Sequence, residues 1–164
     1  MKRLYIINGT MGVGKTTVCR ELQKLLPDNV FLDGDWCWDM SPFKVTDETK
    51  TMVMDNITYL LNSFLKCSEC NNIIFCWVLH EQAIIDELLS KLDIKNCEVK
   101  IFTLTADEEA LKQRLEKDVA NGIRKPDVIE RSIARIPLYD KLITEKIATD
   151  SISAKEAAKI IASR

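Results

Sequence analysis

The chain is 164 residues long, 46% hydrophobic and 29% charged, which suits one domain spanning residues 1–164 with a substantial core. Its 23 basic side chains nearly balance 25 acidic ones, for a net charge of −2, so composition gives no electrostatic footprint for nucleic acid or an anionic membrane. No apolar run is long enough to cross a membrane, the stretch Leu4 to Ile7 is too short for a secretory signal, and the six cysteines read as reduced thiols of a cytoplasmic protein.

The first apolar run, Arg3 to Asn8, reads as a strand. A glycine-rich loop follows, and then a helix over Lys15 to Leu26 with Val18, Leu22, Leu25 and Leu26 on one stripe and Pro27 as its stop. Val30 to Asp33 is a second, short strand. Asp47 to Lys66 carries Met54, Ile57, Leu60, Leu61, Phe64 and Leu65 at helical spacing. Cys67 and Cys70 form one C-x-x-C pair, and with His80 the only histidine it lacks the two further ligands of a zinc site. It reads as two thiols at a helix end. Asn72 to Leu79 and Glu98 to Thr105 are contiguous apolar runs rich in Ile, Val and Phe, as expected of strands covered on both faces. Asp107 caps a helix bearing Ala110, Leu111 and Leu115. Val119 to Asp127, with Asn121, Gly122 and Pro126, interrupts the pattern as a mobile connection, and a helix resumes near Val128. Lys146 to Thr149 is a fifth short strand. Ser153 and Glu156 have capping-box spacing and open a last helix running almost to Arg164. Strands alternating with helices call for an α/β fold with a parallel sheet.

Gly9-Thr10-Met11-Gly12-Val13-Gly14-Lys15-Thr16-Thr17 satisfies every fixed position of the Gly-x4-Gly-Lys-Ser/Thr loop, the P-loop or Walker A pattern, and stands where that loop must stand, between a strand and a helix. Glycines let backbone N–H groups close around phosphate oxygens, and the helix adds its positive N-terminal end. Lys15 neutralises the outer phosphates and the Thr16 hydroxyl is placed to ligate magnesium. The loop is therefore assigned to a nucleoside triphosphate, with ATP and Mg2+ as the implied cofactors.

Together with Phe31-Leu32-Asp33-Gly34-Asp35, the loop and the short chain resemble the small P-loop kinases of the shikimate kinase, gluconate kinase and chloramphenicol phosphotransferase group. The resemblance implies a three-layer P-loop NTPase fold, with a five-stranded parallel sheet ordered 2-3-1-4-5 and flanked by helices. It also implies a small lid, here about residues 118–135, and arginines in that region: Arg114 against the adenine, and Arg124, Arg131 and Arg135 near the transferred phosphate. Asp33 and Asp35 alternate across a strand end and so project differently, Asp33 toward the metal shell with Thr16, and Asp35 toward the acceptor hydroxyl. The local alternative is a strand-ending turn with a capping aspartate. Arg135 joins Lys15 and Asp35 as a catalytic candidate; for Arg124 and Arg131 a solvated ion pair is an equal alternative.

The third strand, Ile73-Ile74-Phe75-Cys76-Trp77-Val78, departs from many P-loop proteins in having no aspartate, and Cys76 reads as core. Trp36 and Trp38 line a concavity or close the core beneath a loop. His80 is read as a cap or surface residue with a possible substrate contact as the alternative. The expected activity is transfer of the γ-phosphoryl group of ATP to a hydroxyl of a small-molecule acceptor, by a monomer or homodimer. A nucleotide or nucleoside kinase is the runner-up, weakened because no arginine lies between Trp36 and Phe43. A nucleotide-binding regulator with little turnover is the third reading.

Overall fold

The computed structural model describes residues 1–164. In chain order the elements are β1 (Lys2–Asn8), α1 (Lys15–Leu25), β2 (Asn29–Asp33), a 3-10 turn (Gly34–Trp38), α2 (Asp47–Lys66), β3 (Asn72–Cys76), α3 (Gln82–Ser90), β4 (Cys97–Thr105), α4 (Glu108–Ala120), α5 (Val128–Asp140), β5 (Glu145–Ala148) and α6 (Ala154–Ser163). The five strands form one sheet, all neighbours parallel, in the order β2-β3-β1-β4-β5. This is the P-loop NTPase fold, with the sheet order implied by the resemblance.

The two-residue period of a strand divides β1 between two cores. Leu4 and Ile6 pack with Leu32, Val53, Ile57, Leu61, Ile73, Phe75, Ile85 and Leu88 on one face of the sheet. Tyr5 and Ile7 pack with Val18, Leu22, Ile74, Phe102, Leu104, Leu111 and Ile161 on the other. Covering on both faces explains why the central strands are apolar without alternation.

The capping signal at Ser153 is realised: its hydroxyl accepts from Glu156 N at 3.2 Å, and the Glu156 carboxylate accepts from Ser153 N at 2.7 Å. Asp107 caps α4 by accepting from Ala110 N at 2.7 Å. Strand ends elsewhere shift by one residue, and three features differ more from the sequence reading. α3 was implied only by the alternation of elements, because its two fully buried positions, Ile85 and Leu88, are too few to stand out. β3 ends at Cys76 and not at Leu79, since Leu79 takes a left-handed conformation with φ of 29°. α4 continues through Val119 to Ala120, so the break in pattern is confined to residues 121–127.

The register brings the site together. Asp33 lies opposite Cys76, Cys76 opposite Ile7, and Asn8 opposite Thr103, so the carboxyl ends of β2, β3, β1 and β4 form one rim. β1 connects toward the β2 side while β3 connects past it to β4, and ligands of open α/β sheets bind in the crevice where the winding reverses in this way.

Candidate active site

The glycine-rich loop occupies that crevice. Gly14 is the N-terminal cap residue of α1, with φ of 105°, a conformation natural to glycine. It offers no side chain to the first turn, and no acidic residue occurs there. The free N–H groups at the start of α1 thus face the loop, which is the arrangement that holds phosphate oxygens. Lys15 Nζ donates to the carbonyls of Gly9 at 2.8 Å and Thr10 at 3.0 Å. Its ammonium is thereby folded over the loop, and burial lowers its pKa, opposed by the neighbouring Asp35 and Asp33.

Thr16 and Asp33 meet: Thr16 Oγ1 donates to Asp33 Oδ2 at 2.7 Å. The other Asp33 oxygen accepts from Asp35 N at 3.1 Å and caps the 3-10 turn, so the local-turn reading and the metal-shell reading describe the same buried carboxylate. Gly34 is needed between the aspartates because a Cβ there would stand 2.5 Å from the Trp77 ring. That close approach lets Trp77 pack beneath the turn and approach the Asp35 carboxylate. Asp35 is exposed at the turn, but crowding by the surrounding protein, then the Asp33 charge, raise its pKa from the ordinary carboxylate value, with Lys15, Arg124 and the Trp77 bond pulling the other way. Asp35 thus makes no bond to Thr16, and its one side-chain contact is with Trp77.

Two hard oxygen donors, Thr16 Oγ1 and Asp33, suit magnesium. They are too few to hold it alone, and no group of three or more His, Cys, Asp and Glu forms a closed metal cage. This is the donor set of an ion that completes its shell with phosphate oxygens and water.

Arg114 is anchored between the loop and β5: its guanidinium donates to Val13 O at 3.2 Å, Thr149 Oγ1 at 3.1 Å and Thr149 O at 2.7 Å. It borders a cavity of about 160 Å³ shared with Gly14, Thr17, Ile152 and Ser153, on the flank of the loop. The other arginines separate. Arg124 pairs with Asp118 at 3.2 Å, yet its charge reaches both Lys15 and Asp35. Arg131 is exposed and pairs with Asp127 at 3.2 Å. Arg135 is half-buried and makes no ion pair; its charge, after burial, lowers the pKa of His80. Of the two alternatives held for Arg131, the ion pair is the one seen, with Asp127 one helical turn before it.

Several site residues were not legible beforehand. Ser132 is fully buried; its hydroxyl donates to Met11 O at 2.6 Å, while Thr10 Oγ1 donates to Ser132 O at 2.9 Å. At the far end of α5, the Tyr139 hydroxyl donates to Val78 O at 2.5 Å. One helix is thus stitched to the phosphate loop and to the segment after β3, and Arg135 lies between the stitches. Asn8 Nδ2 donates to Leu79 O at 3.3 Å, just before His80. The only available signal for these contacts was polarity inside an otherwise apolar run, as at Asn8. The aromatic wall is layered: Trp38 is half-buried between Phe43, at 5.2 Å, and Trp77, at 6.3 Å. Trp36, 52% exposed, leans on Phe31 at 5.3 Å with Arg20 against both rings. Cys76 is buried beside Cys19 and its thiol is pushed far up, as for a core thiol.

Comparison with known proteins agrees with this geometry. The family model described as an AAA domain matches residues 6–135. No curated protein matches the chain. Among solved structures, the tunicamycin resistance protein of Deinococcus radiodurans is similar with a TM-score of 0.69 and 20% identity, over 99% of this chain and 95% of that one. The gluconokinase of Sinorhizobium meliloti gives 0.66 and 15%, over 96% and 87%. The shikimate kinase of Acinetobacter baumannii, solved with shikimate, gives 0.62 and 22%, over 99% and 91%. At these identities the likeness establishes the fold.

Proposed function

This chain belongs to the AAA domain family, and from that premise we propose that it is a P-loop kinase moving the γ-phosphoryl group of ATP to a hydroxyl of a small molecule. The observation that carries the proposal is the division of labour between two neighbouring carboxylates: Asp33 is engaged by Thr16 and the turn, whereas Asp35 is exposed, is touched only by Trp77, feels the charges of Lys15 and Arg124, and has a raised pKa. A protein that only holds nucleotide has no use for the second one. In the proposed reaction the acceptor hydroxyl gives its proton to Asp35 as its oxygen bonds to the γ-phosphorus and the bond to the ADP oxygen breaks. Lys15 and the α1 N–H groups hold the phosphates, and Arg124 and Arg135 meet the charge spread over the transferred group. Magnesium, held by Thr16 and Asp33, would supply neutralisation of the outer phosphate charge. Residues 121–127, bearing Arg124, form the short lid.

Trp36 and Trp38 follow Asp35 in the same turn, Trp36 largely exposed and Trp38 half-buried, and ring faces stack on the C–H faces of cyclic hydroxyl compounds as well as on aromatic ones. Similar folds are named gluconokinase, sugar kinase and shikimate kinase, which sets sugars, sugar acids and cyclic polyols first among the acceptors to test. The test is a coupled ADP-release screen across these compounds, nucleosides and aminoglycosides, with magnesium and ATP. Acceptor-dependent ADP release with a phosphorylated product supports the proposal. Tight ATP binding with no acceptor-dependent release across all classes would favour the regulator instead.

A further inference from the structure

The C-x-x-C pair lies at the opposite end of the sheet and is independent of the proposed kinase activity. Cys67 is the exposed C-cap residue of α2, and Cys70, half-buried, precedes β3. Cys70 N donates to Cys67 O at 3.3 Å, closing a turn in which the two thiols interact. A turn of this kind holds its first and fourth Cα atoms within about 7 Å, near the separation a disulfide requires. Lys2, at the start of β1, donates from one ammonium to the carbonyls of both cysteines, at 2.6 Å for Cys70. The turn is thereby pinned at both corners, with its two thiols near enough to influence one another.

We propose that Cys67 and Cys70 are a redox-active dithiol that closes reversibly to an intramolecular disulfide by exchange with the disulfide of a small aliphatic thiol. The Cys67 thiolate attacks one sulfur of that disulfide, forming a mixed disulfide and expelling one small thiolate, which takes up a proton. The Cys70 thiolate then attacks the Cys67 sulfur and expels the second. Two protein thiols are oxidised and one small disulfide is reduced to two thiols.

The surroundings select this chemistry over two others. A metal site fails because no third thiol, imidazole or carboxylate completes a ligand group. A fast thiol oxidoreductase fails because the pair sits at the C-terminal, negative end of α2, where a thiolate is disfavoured. Burial and the adjoining Cys67 also hold the Cys70 thiol above its ordinary range. The result is a slow latch that closes faster as pH rises, tying the end of α2 to the start of β3. The remaining cysteines are poorer partners: Cys19 and Cys76 are wholly buried, Cys37 lies in the turn after β2 at the other end of the sheet, and Cys97 lies on β4 opposite Lys2.

The test incubates the reduced, full-length protein with glutathione disulfide and then alkylates it after denaturation. The expected product carries four alkyl groups instead of six, yields one peptide linking Cys67 to Cys70 that is two hydrogen atoms lighter than its dithiol form, and forms faster at higher pH. Cys70→Ser should instead stop at a stable mixed disulfide on Cys67, because its resolving thiol is gone. Cys70 is only half-buried, in a turn outside the core, and serine is nearly its size, so this variant folds. A parent protein in which all six thiols alkylate would overturn the proposal. So would a parent that accumulates the mixed disulfide as Cys70→Ser does, or a bond that recruits Cys97.

Discussion

Asp35→Asn separates catalysis from binding and carries an unusual stability signature. Asparagine keeps the size of the side chain and one oxygen for the Trp77 contact, but it takes no proton from an acceptor. General-base contributions are about 10²- to 10⁴-fold, so turnover falls by at least about 10²-fold, equivalent to roughly 2.7 kcal/mol of barrier. ATP affinity changes little, because the phosphates are held by Lys15 and the loop. Stability moves the other way. The Asp35 pKa is raised in the folded protein by partial desolvation and by Asp33, so the folded state binds this proton more tightly than the unfolded chain does, by an amount kept small because the side chain is exposed and solvent-screened. The parent's stability therefore falls as pH rises from the ordinary carboxylate pKa through the raised one, and the full loss remains at neutral pH. Asparagine never ionises. Asp35→Asn should thus melt higher than the parent at neutral pH, with the difference vanishing below the ordinary carboxylate range. Single-turnover kinetics with the acceptor found by the screen, and melting curves across acid to neutral pH, make the check. Parental turnover, or a variant that melts lower at neutral pH, refutes the reasoning and returns Asp35 to a turn-closing role.

Lys15→Ala should fold normally by circular dichroism, since Lys15 Nζ bonds only to loop carbonyls, and should weaken ATP binding in titration by about 10²-fold or more. Asp33→Asn should raise the magnesium concentration for half-maximal rate by about tenfold, read from a metal titration at saturating ATP. Ser132→Ala leaves its buried bonding partners short of a donor, so chemical denaturation should show a loss of about 1–3 kcal/mol, with weakened ATP binding because the phosphate loop loses its tie to α5. Arg124→Ala should lower kcat by about tenfold or more while Arg131→Ala stays near parental in steady-state assays, because the charge of Arg124 alone of the two reaches Lys15 and Asp35.

Arg131 and Arg124 also show where a sequence reading stops. A spacing of four places Arg131 and Arg135 on one side of a helix, but it equally places Asp127 and Arg131 together, and that local ion pair at 3.2 Å is the one formed. Arg124 lies in an irregular stretch with no period to read, and its nearness to Lys15 follows from how α4 and α5 pack. Trp77 looked like the continuation of an apolar strand; only the absence of a Cβ on Gly34 and the close approach of the turn make it a neighbour of Asp35.

What the sequence by itself determined is local or periodic. The phosphate loop is nine consecutive residues whose glycines, lysine and threonine have one mutual arrangement between a strand and a helix. The buried strands announced themselves because a sheet covered on both faces needs apolar residues at every position. The Ser153 and Asp107 caps were equally plain, since each bonds within its own first helical turn. Only the tertiary structure decided that Ser132 holds Met11 across 121 positions of chain, that Asn8 holds Leu79 across 71, and that Tyr139 reaches Val78 across 61. Such bonds join single polar groups on different elements, and nothing in the neighbouring residues records the partner, because the partner is chosen by how the helices settle on the sheet.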